Sequence, residues 1–143
     1  MPTRTARTTW TGGLLDGAGT VALVSSGVGS YEVSFPKRAA EDADGTTSPE
    51  ELIAAAHSAC FAMQFSAMLG NAGGRGQALD VSADVSLGPD PAGGFRITGI
   101  VLNVSGSADG ISADDFAMIA EQAKSACPVS KALTGTEISL KVG

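Results

Sequence analysis

The sequence is poor in residues that bind metals or form disulfides, with only two cysteines and one histidine among 143 residues. Three such residues are too few for an ordinary structural zinc site, and their spacing fits none. Cys60 and Cys127 stand 67 residues apart, which excludes a CxxC redox motif. We therefore expect no metal ion and no permanent structural disulfide.

Basic residues are also scarce: nine lysines and arginines stand against 15 acidic residues, and the net charge is −6. Without a basic cluster, neither nucleic acid nor an anionic membrane surface is an expected partner. Residues 1–13 contain arginines but no apolar run, so we expect no signal peptide. These features predict a cytoplasmic protein, whose cysteines are redox-active or simply buried in that reducing compartment.

The length and a hydrophobic content of 43% predict a single globular domain over residues 1–143. The sequence contains no internal repeat and no linker. Its predicted strands come in runs instead of alternating with helices, which indicates an α+β fold with antiparallel pairing. The predicted strands cover residues 3–11, 19–25, 31–35, 79–87, 95–105 and 137–142.

The longest predicted element is a helix over residues 49–72. Ser48 is a good N-cap, and Glu51 three residues later completes a capping box. Pro49 falls on the first helical position, where its missing N–H is not needed. Glu50 and Glu51 place negative charge at the positive end of the helix dipole.

This helix is apolar or small on all sides, which is typical of a helix that is buried on all sides. Residues 52–69 carry no formal charge, so a transmembrane span is the first alternative. Polar interruptions such as His57 and Gln64 and the absence of a basic flank favour a core helix. Because a chain this small cannot easily surround one long helix, the sequence indicates a dimer.

Three further residues, Trp10, Arg38 and Cys127, occupy positions from which a structural or functional role can be predicted. We expect Trp10 in the core. Arg38 lies in a predicted polar loop over residues 37–47, where it is either a solvated charge or a functional group. Cys127 follows a second predicted helix, which Ser112 caps. Because a residue before proline is pushed out of helical geometry, Cys127 should stand at a break that begins a short helical turn over residues 128–133.

Two blocks of sequence resemble the OsmC/Ohr family, the osmotically inducible protein C and organic hydroperoxide resistance proteins. They are residues 49–61 (PEELIAAAHSACF) and residues 126–130 (ACPVS). Trp10, Arg38 and His57 resemble the OsmC branch more than the Ohr branch. The resemblance extends over essentially the whole chain, and it implies an intertwined homodimer with a long buried central helix and two active sites at the interface.

The resemblance also implies a thiol-based peroxidase that reduces organic hydroperoxides. Cys60 would be the peroxidatic thiol and Cys127 the resolving thiol, while Arg38 and Glu50 would be their polar partners. No metal or bound cofactor would be needed. An external dithiol, such as a lipoyl group or a lipoylated protein, would regenerate the enzyme.

Elementary chemistry agrees with these roles. A thiol attacks a peroxide only as its thiolate, and burial of Cys60 would raise its pKa. A nearby guanidinium such as Arg38 would favour the thiolate, and Glu50 could hold the arginine in a bidentate pair. Glu50 and Cys60 are ten residues apart on one helix, or about 15 Å along its axis. Glu50 therefore fits better with the partner's Cys60.

Alternatives remain open at this point. Phe61, Met63, Phe65 and Met68 would give the thiol an apolar, adjustable lining that suits alkyl hydroperoxides. His57 is either a general base or a hydrogen-bonded core residue. Besides a peroxidase, the chain could be a non-catalytic dimer that binds hydrophobic ligands, or a redox sensor that passes oxidation to a partner protein.

Overall fold

The computed structural model describes all residues from Met1 to Gly143, and it confirms the α+β class. Its residues form two compact units, Met1–Leu52 and Ile53–Gly143, and the prediction of a single domain stays a prediction. The elements in chain order are β1 (Arg7–Thr11), β2 (Ala18–Ala22), β3 (Ser30–Val33), α1 (Phe35–Arg38), α2 (Pro49–Asn71), β4 (Arg75–Pro89), β5 (Phe95–Asp109), α3 (Ala113–Ala126), α4 (Pro128–Ala132) and β6 (Ile138–Val142).

The first unit contains an antiparallel sheet in the order β1-β2-β3. Val21 is its only buried hydrophobic side chain, and every residue of β1 is exposed. The prediction that Trp10 lies in the core is therefore wrong for the single chain, since this side chain is 42% exposed. A three-stranded sheet without a covering layer cannot bury so large a ring; the indole N–H donates to the Gly12 carbonyl at 2.9 Å.

The short helix α1 was not expected, because residues 37–47 were predicted to be loop throughout. Ser34 acts as the N-cap, and its hydroxyl accepts a hydrogen bond from the Lys37 backbone N–H at 3.4 Å. Pro36 falls in the first turn, where proline is compatible with a helix start. Arg38 is consequently the last residue of a helix and does not lie in a loop.

Helix α2 begins where the sequence predicts and ends one residue earlier than predicted, at Asn71. The Ser48 hydroxyl accepts from the Glu51 backbone N–H at 3.1 Å, which forms one half of the capping box. The other half is replaced, because the Glu51 carboxylate accepts from the Thr47 hydroxyl. The predicted start of α2 is thus confirmed, although one of the two hydrogen bonds expected of a capping box has a different partner.

The second unit contains a sheet in the order β4-β5-β6, in which β4 and β5 form the predicted antiparallel hairpin. The last strand, β6, pairs with β5 in parallel, so the prediction of antiparallel pairing is wrong for this strand, because α3 and α4 form a crossover connection between β5 and β6. One face of β5 is buried and packs against α2 and α3. The fully or nearly fully buried side chains of this core are Phe61, Phe65, Leu69, Leu102, Val104, Ala108, Phe116, Ile119, Ala120, Ala123 and Cys127.

Helix α2 buries only one face within the chain, along His57, Phe61, Phe65 and Leu69. The prediction that α2 is buried on all sides is wrong for the single chain, because its opposite face is exposed. This face contains Ala55, Ala56, Ala59, Met63 and Ala67. The helix has the length and the mean hydropathy, 1.5, of a membrane span. Its buried face, packed into the core of the second unit, is what a core helix shows, and it favours that interpretation.

Candidate active site

The two cysteines meet in the second unit, although 67 residues separate them in the sequence. Both are free thiols, and their side chains are hydrogen-bonded to each other. Cys60 lies in the middle of α2 and is partly buried, whereas Cys127 is completely buried. This hydrogen bond places the two sulfur atoms near each other, and a disulfide between them would require an S–S distance of about 2.05 Å.

Cys127 occupies the predicted break between two helices. It is the C-cap of α3 and the N-cap of α4, with φ −60° and ψ 124°, and Pro128 follows as the first residue of α4. Its backbone N–H donates to the Ala123 carbonyl at 2.9 Å, and its carbonyl accepts from Lys131 at 3.0 Å. The backbone on both sides of the sulfur is therefore held by helical hydrogen bonds.

The start of α4 also supplies a donor to the other cysteine. The backbone N–H of Val129 donates to the Cys60 sulfur. This N–H belongs to the first turn of a helix, where backbone donors lack partners within the helix. Sequence reasoning missed Val129, although a proline at the first helical position is a signal that the next N–H groups are free to bind elsewhere.

Burial raises the pKa of the Cys60 thiol, and this is the largest influence on it. The Val129 N–H lowers the pKa by stabilising the thiolate, while the Cys127 side chain raises it further. Burial and Cys127 together outweigh the single N–H donor, so the net direction is upward. A reactive thiolate on Cys60 therefore needs positive charge beyond these neighbours.

A second polar contact joins the same two helices. His57 lies one helical turn before Cys60, and its Nε2 is 2.7 Å from the Ser130 hydroxyl oxygen. Both side chains are buried, with 0% of His57 and 5% of Ser130 exposed. Burial lowers the pKa of His57, and its Nδ1 has no hydrogen-bond partner within the chain. Ser130 was not singled out from the sequence, since a serine in a short helix carries no distinctive signal.

The first unit holds the predicted arginine–glutamate pair. Arg38 Nη2 is 2.7 Å from Glu50 Oε1, and Arg38 Nε is 3.1 Å from both carboxylate oxygens. The Glu50 side chain is 9% exposed and the Arg38 side chain 33%. This fork geometry fixes the direction of the guanidinium and leaves part of it accessible to another group.

Arg38 also borders a cavity of about 490 Å³ in the first unit. Most of its wall is apolar, so a guanidinium stands at the edge of a hydrophobic space. The residues that give the cavity this character are Trp10, Leu14, Val21, Phe35, Leu52 and Arg38.

The structure thus brings the predicted site residues together in two pairs, Cys60 with Cys127 and Arg38 with Glu50. The predicted apolar lining of the thiol stays a prediction, and Cys60 packs against the core that contains two of its four residues. Phe61 and Phe65 are fully buried in the core, where their ring centroids are 5.6 Å apart. Met68 packs against the same core, and only Met63 is largely exposed. The periodicity of an all-apolar helix does not tell which side faces the core.

No group of three or more His, Cys, Asp or Glu side chains is arranged to hold a metal ion. The polar groups that the structure brings together are the two thiols and a guanidinium that a carboxylate orients.

Comparison with known proteins gives a consistent result. The family model described as OsmC-like protein matches residues 41–142. The chain is 43% identical to peroxiredoxin OsmC of Escherichia coli over 131 residues, which are 92% of this chain and 89% of the relative. It is 35% identical to the organic hydroperoxide resistance protein OhrA of Bacillus subtilis, over 72% of each protein.

Similarity of structure extends over almost the entire chain. The crystal structure of the organic hydroperoxide resistance protein OhrB of Bacillus subtilis matches with a TM-score of 0.75 and 28% identity, and the match covers 97% of this chain and 98% of OhrB.

Proposed function

Because this chain belongs to the OsmC-like protein family, we propose that it is a thiol peroxidase that reduces organic hydroperoxides to alcohols. The names of its relatives, a peroxiredoxin and a hydroperoxide resistance protein, support a peroxidase role in hydroperoxide resistance. The observation that carries the proposal is the hydrogen bond between Cys60 and Cys127. A peroxidatic thiol needs a resolving thiol beside it in this way.

In the proposed cycle the Cys60 thiolate attacks the terminal oxygen of the hydroperoxide. The O–O bond breaks, the alkoxide leaves as the alcohol after taking up a proton, and Cys60 becomes a sulfenic acid. The Cys127 thiol then attacks this sulfur, so that a Cys60–Cys127 disulfide forms and water is released. An external dithiol, for which the family resemblance suggests a lipoyl group, reduces the disulfide by exchange.

The guanidinium of Arg38 is the proposed source of the positive charge that Cys60 needs. It remains charged at every accessible pH, and it can stabilise both the thiolate and the departing alkoxide. Glu50 is ten residues from Cys60 on α2, which corresponds to about 15 Å along the helix. We therefore propose that Arg38 and Glu50 act on the partner's Cys60 in a homodimer.

Two features of the chain support a homodimer. The exposed face of α2 consists mostly of alanines, with Met63 as a large side chain among them, and the alanines allow a second helix to approach closely. The first unit buries only one hydrophobic side chain, so its sheet has apolar surface to cover, Trp10 included.

The apolar cavity beside Arg38 would hold the alkyl or aryl part of the hydroperoxide, with the O–O group directed toward the guanidinium.

The proposal is tested with cumene hydroperoxide, a dithiol reductant and two variants. Cys60→Ser should abolish hydroperoxide consumption at the first turnover. Cys127→Ser should consume about one equivalent per chain and then accumulate sulfenic and finally sulfinic acid on Cys60. Mass spectrometry after a single equivalent reads both outcomes.

A wild-type protein that does not consume hydroperoxide would leave the cysteines incidental, as in a protein that only binds hydrophobic ligands. An oxygen adduct on Cys127 in the Cys60→Ser variant, formed at close to the wild-type rate, would reverse the two roles. Oxidation that is passed on to a protein partner, without turnover by the dithiol, would indicate a sensor.

A further inference from the structure

The hydrogen bond between His57 and Ser130 occupies a distinctive place beside the two thiols. His57 is three residues before Cys60 on α2, and Ser130 is three residues after Cys127 in α4. The bond joins positions 73 apart in the sequence and is completely enclosed by the protein. It therefore connects the two segments that carry the thiols, about one helical turn from each sulfur.

The same two segments meet through the sulfur contacts themselves. Val129, which precedes Ser130, donates its backbone N–H to the Cys60 sulfur, and Cys127 is hydrogen-bonded to Cys60. Hydrogen bonds to sulfur are weak and cannot alone keep a five-residue helix in place. The nitrogen–oxygen bond at 2.7 Å is the strongest polar contact between these segments.

We infer that His57 and Ser130 form a positioning pair, which holds the start of α4 against α2 so that the Val129 N–H and the Cys127 thiol both meet the Cys60 sulfur. This inference rests on the proposed function for its catalytic meaning. Its structural content concerns only the geometry of the two thiols.

The contacts of the imidazole distinguish positioning from general-base catalysis. Its Nε2 is bound to Ser130, its Nδ1 has no partner, and the hydrogen-bond partners of the Cys60 sulfur are Val129 and Cys127. A general base must be within hydrogen-bond reach of the proton that it removes. His57 instead acts through the helix that Ser130 belongs to.

Positioning matters most in the second step of the cycle. Cys60–SOH and Cys127–SH combine to give Cys60–S–S–Cys127 and water, and the thiol proton leaves with the departing hydroxide. A second hydroperoxide molecule competes for the same sulfenic acid and oxidises it to the sulfinic acid. A Cys127 thiol that is held beside Cys60 favours disulfide formation over sulfinic acid formation, because positioning removes most of the entropic cost of the intramolecular attack.

The test compares Ser130→Ala with two replacements of the imidazole. In His57→Gln the side-chain nitrogen reaches about as far as Nε2, so the bond to Ser130 is kept without an ionisable ring. In His57→Asn the amide is too short to reach. Ser58→Ala is the matched control, because Ser58 is the next residue and its hydroxyl bonds only to Ala55 within α2.

Each variant receives one equivalent of cumene hydroperoxide in the presence of dimedone, which traps sulfenic acids. The ratio of dimedone adduct to disulfide measures how fast Cys127 resolves Cys60. One hydrogen bond corresponds to roughly a three- to tenfold change. We expect that increase in the ratio for Ser130→Ala and His57→Asn, and a ratio within about twofold of wild type for His57→Gln and Ser58→Ala. The pKa of Cys60, measured from alkylation rates across pH, should rise in the same two variants. They weaken the hydrogen bond from the Val129 N–H, which stabilises the thiolate.

A wild-type ratio in both Ser130→Ala and His57→Asn would overturn the inference, and so would a His57→Gln protein that forms no sulfenic acid. Thermal unfolding by circular dichroism identifies variants that fail to fold, and the Gln and Asn pair still decides the matter if Ser130→Ala is one of them. If the wild type itself forms no sulfenic acid, the proposed function fails. The positioning pair is then judged by the equilibrium constant for disulfide formation in a dithiothreitol redox buffer, which should fall three- to tenfold in His57→Asn and not in His57→Gln.

Discussion

The stability of the folded chain should depend on pH through its single histidine. His57 is fully buried, and burial lowers its pKa from the ordinary value of 6.5. In the unfolded chain the imidazole takes up a proton below pH 6.5, whereas the folded protein keeps it neutral until a lower pH. The unfolded state then binds more protons, so the free energy of unfolding decreases as the pH falls through 6.5 toward the folded-state pKa.

The size of this effect has an upper limit. If His57 stayed neutral throughout in the folded chain, lowering the pH from about 7.5 to about 5.5 would reduce the free energy of unfolding by about 1.4 kcal/mol. Partial protonation of the folded protein makes the change smaller than this limit. The window lies above the range in which ordinary carboxyl groups titrate, and no other histidine is present.

Urea unfolding followed by circular dichroism measures the change at a fixed protein concentration, which is necessary if the chain associates. His57→Gln is the control, because it keeps the hydrogen bond to Ser130 and cannot titrate. The difference between wild type and His57→Gln should decrease with falling pH and then level off below the folded-state pKa. Parallel pH profiles for the two proteins would refute the argument from burial.

Two further predictions concern assembly and charge. Arg38→Ala should slow hydroperoxide reduction and raise the pKa of Cys60 while the fold is retained; alkylation rates across pH provide the measurement, and an unchanged pKa would leave Arg38 a surface charge. Analytical ultracentrifugation at micromolar concentration should show a two-fold dimer, whereas a stable monomer would remove the basis for placing Arg38 at the partner's Cys60.

Local signals in the sequence predicted the elements that carry the site. Ser48, Pro49 and Glu51 fixed the start of α2, because capping depends on three or four neighbouring residues. Pro128 placed Cys127 at a helix boundary for the same reason. The bidentate contact of Arg38 with Glu50 was also expected, and it is present. The catalytic roles of these residues stay predictions.

The errors lie where tertiary contacts decide. Trp10 was expected in a core, but its sheet has no covering layer within the first unit. Phe61 and Phe65 are fully buried in the core while Met63 is exposed, and the sequence could not distinguish these sides because the apolar pattern of α2 has no polar side to orient it. The partner of His57 could not be read from the sequence, since Ser130 is 73 residues away and its approach depends on how α4 packs.

The chemistry of the proposed site follows from the way its groups are distributed. Cys60 and Cys127 are adjacent in the second unit, where burial raises the pKa of Cys60 and a single backbone N–H opposes it. The guanidinium that could favour the thiolate is held by Glu50 in the first unit, at the N-terminal end of α2 and ten residues before Cys60. With this distribution, the single chain favours the protonated form of the Cys60 thiol relative to an ordinary cysteine. If the proposed homodimer places the partner's Arg38 beside Cys60, reactivity toward hydroperoxides should depend on that contact, and the exposed face of α2 would matter to catalysis together with the cysteines.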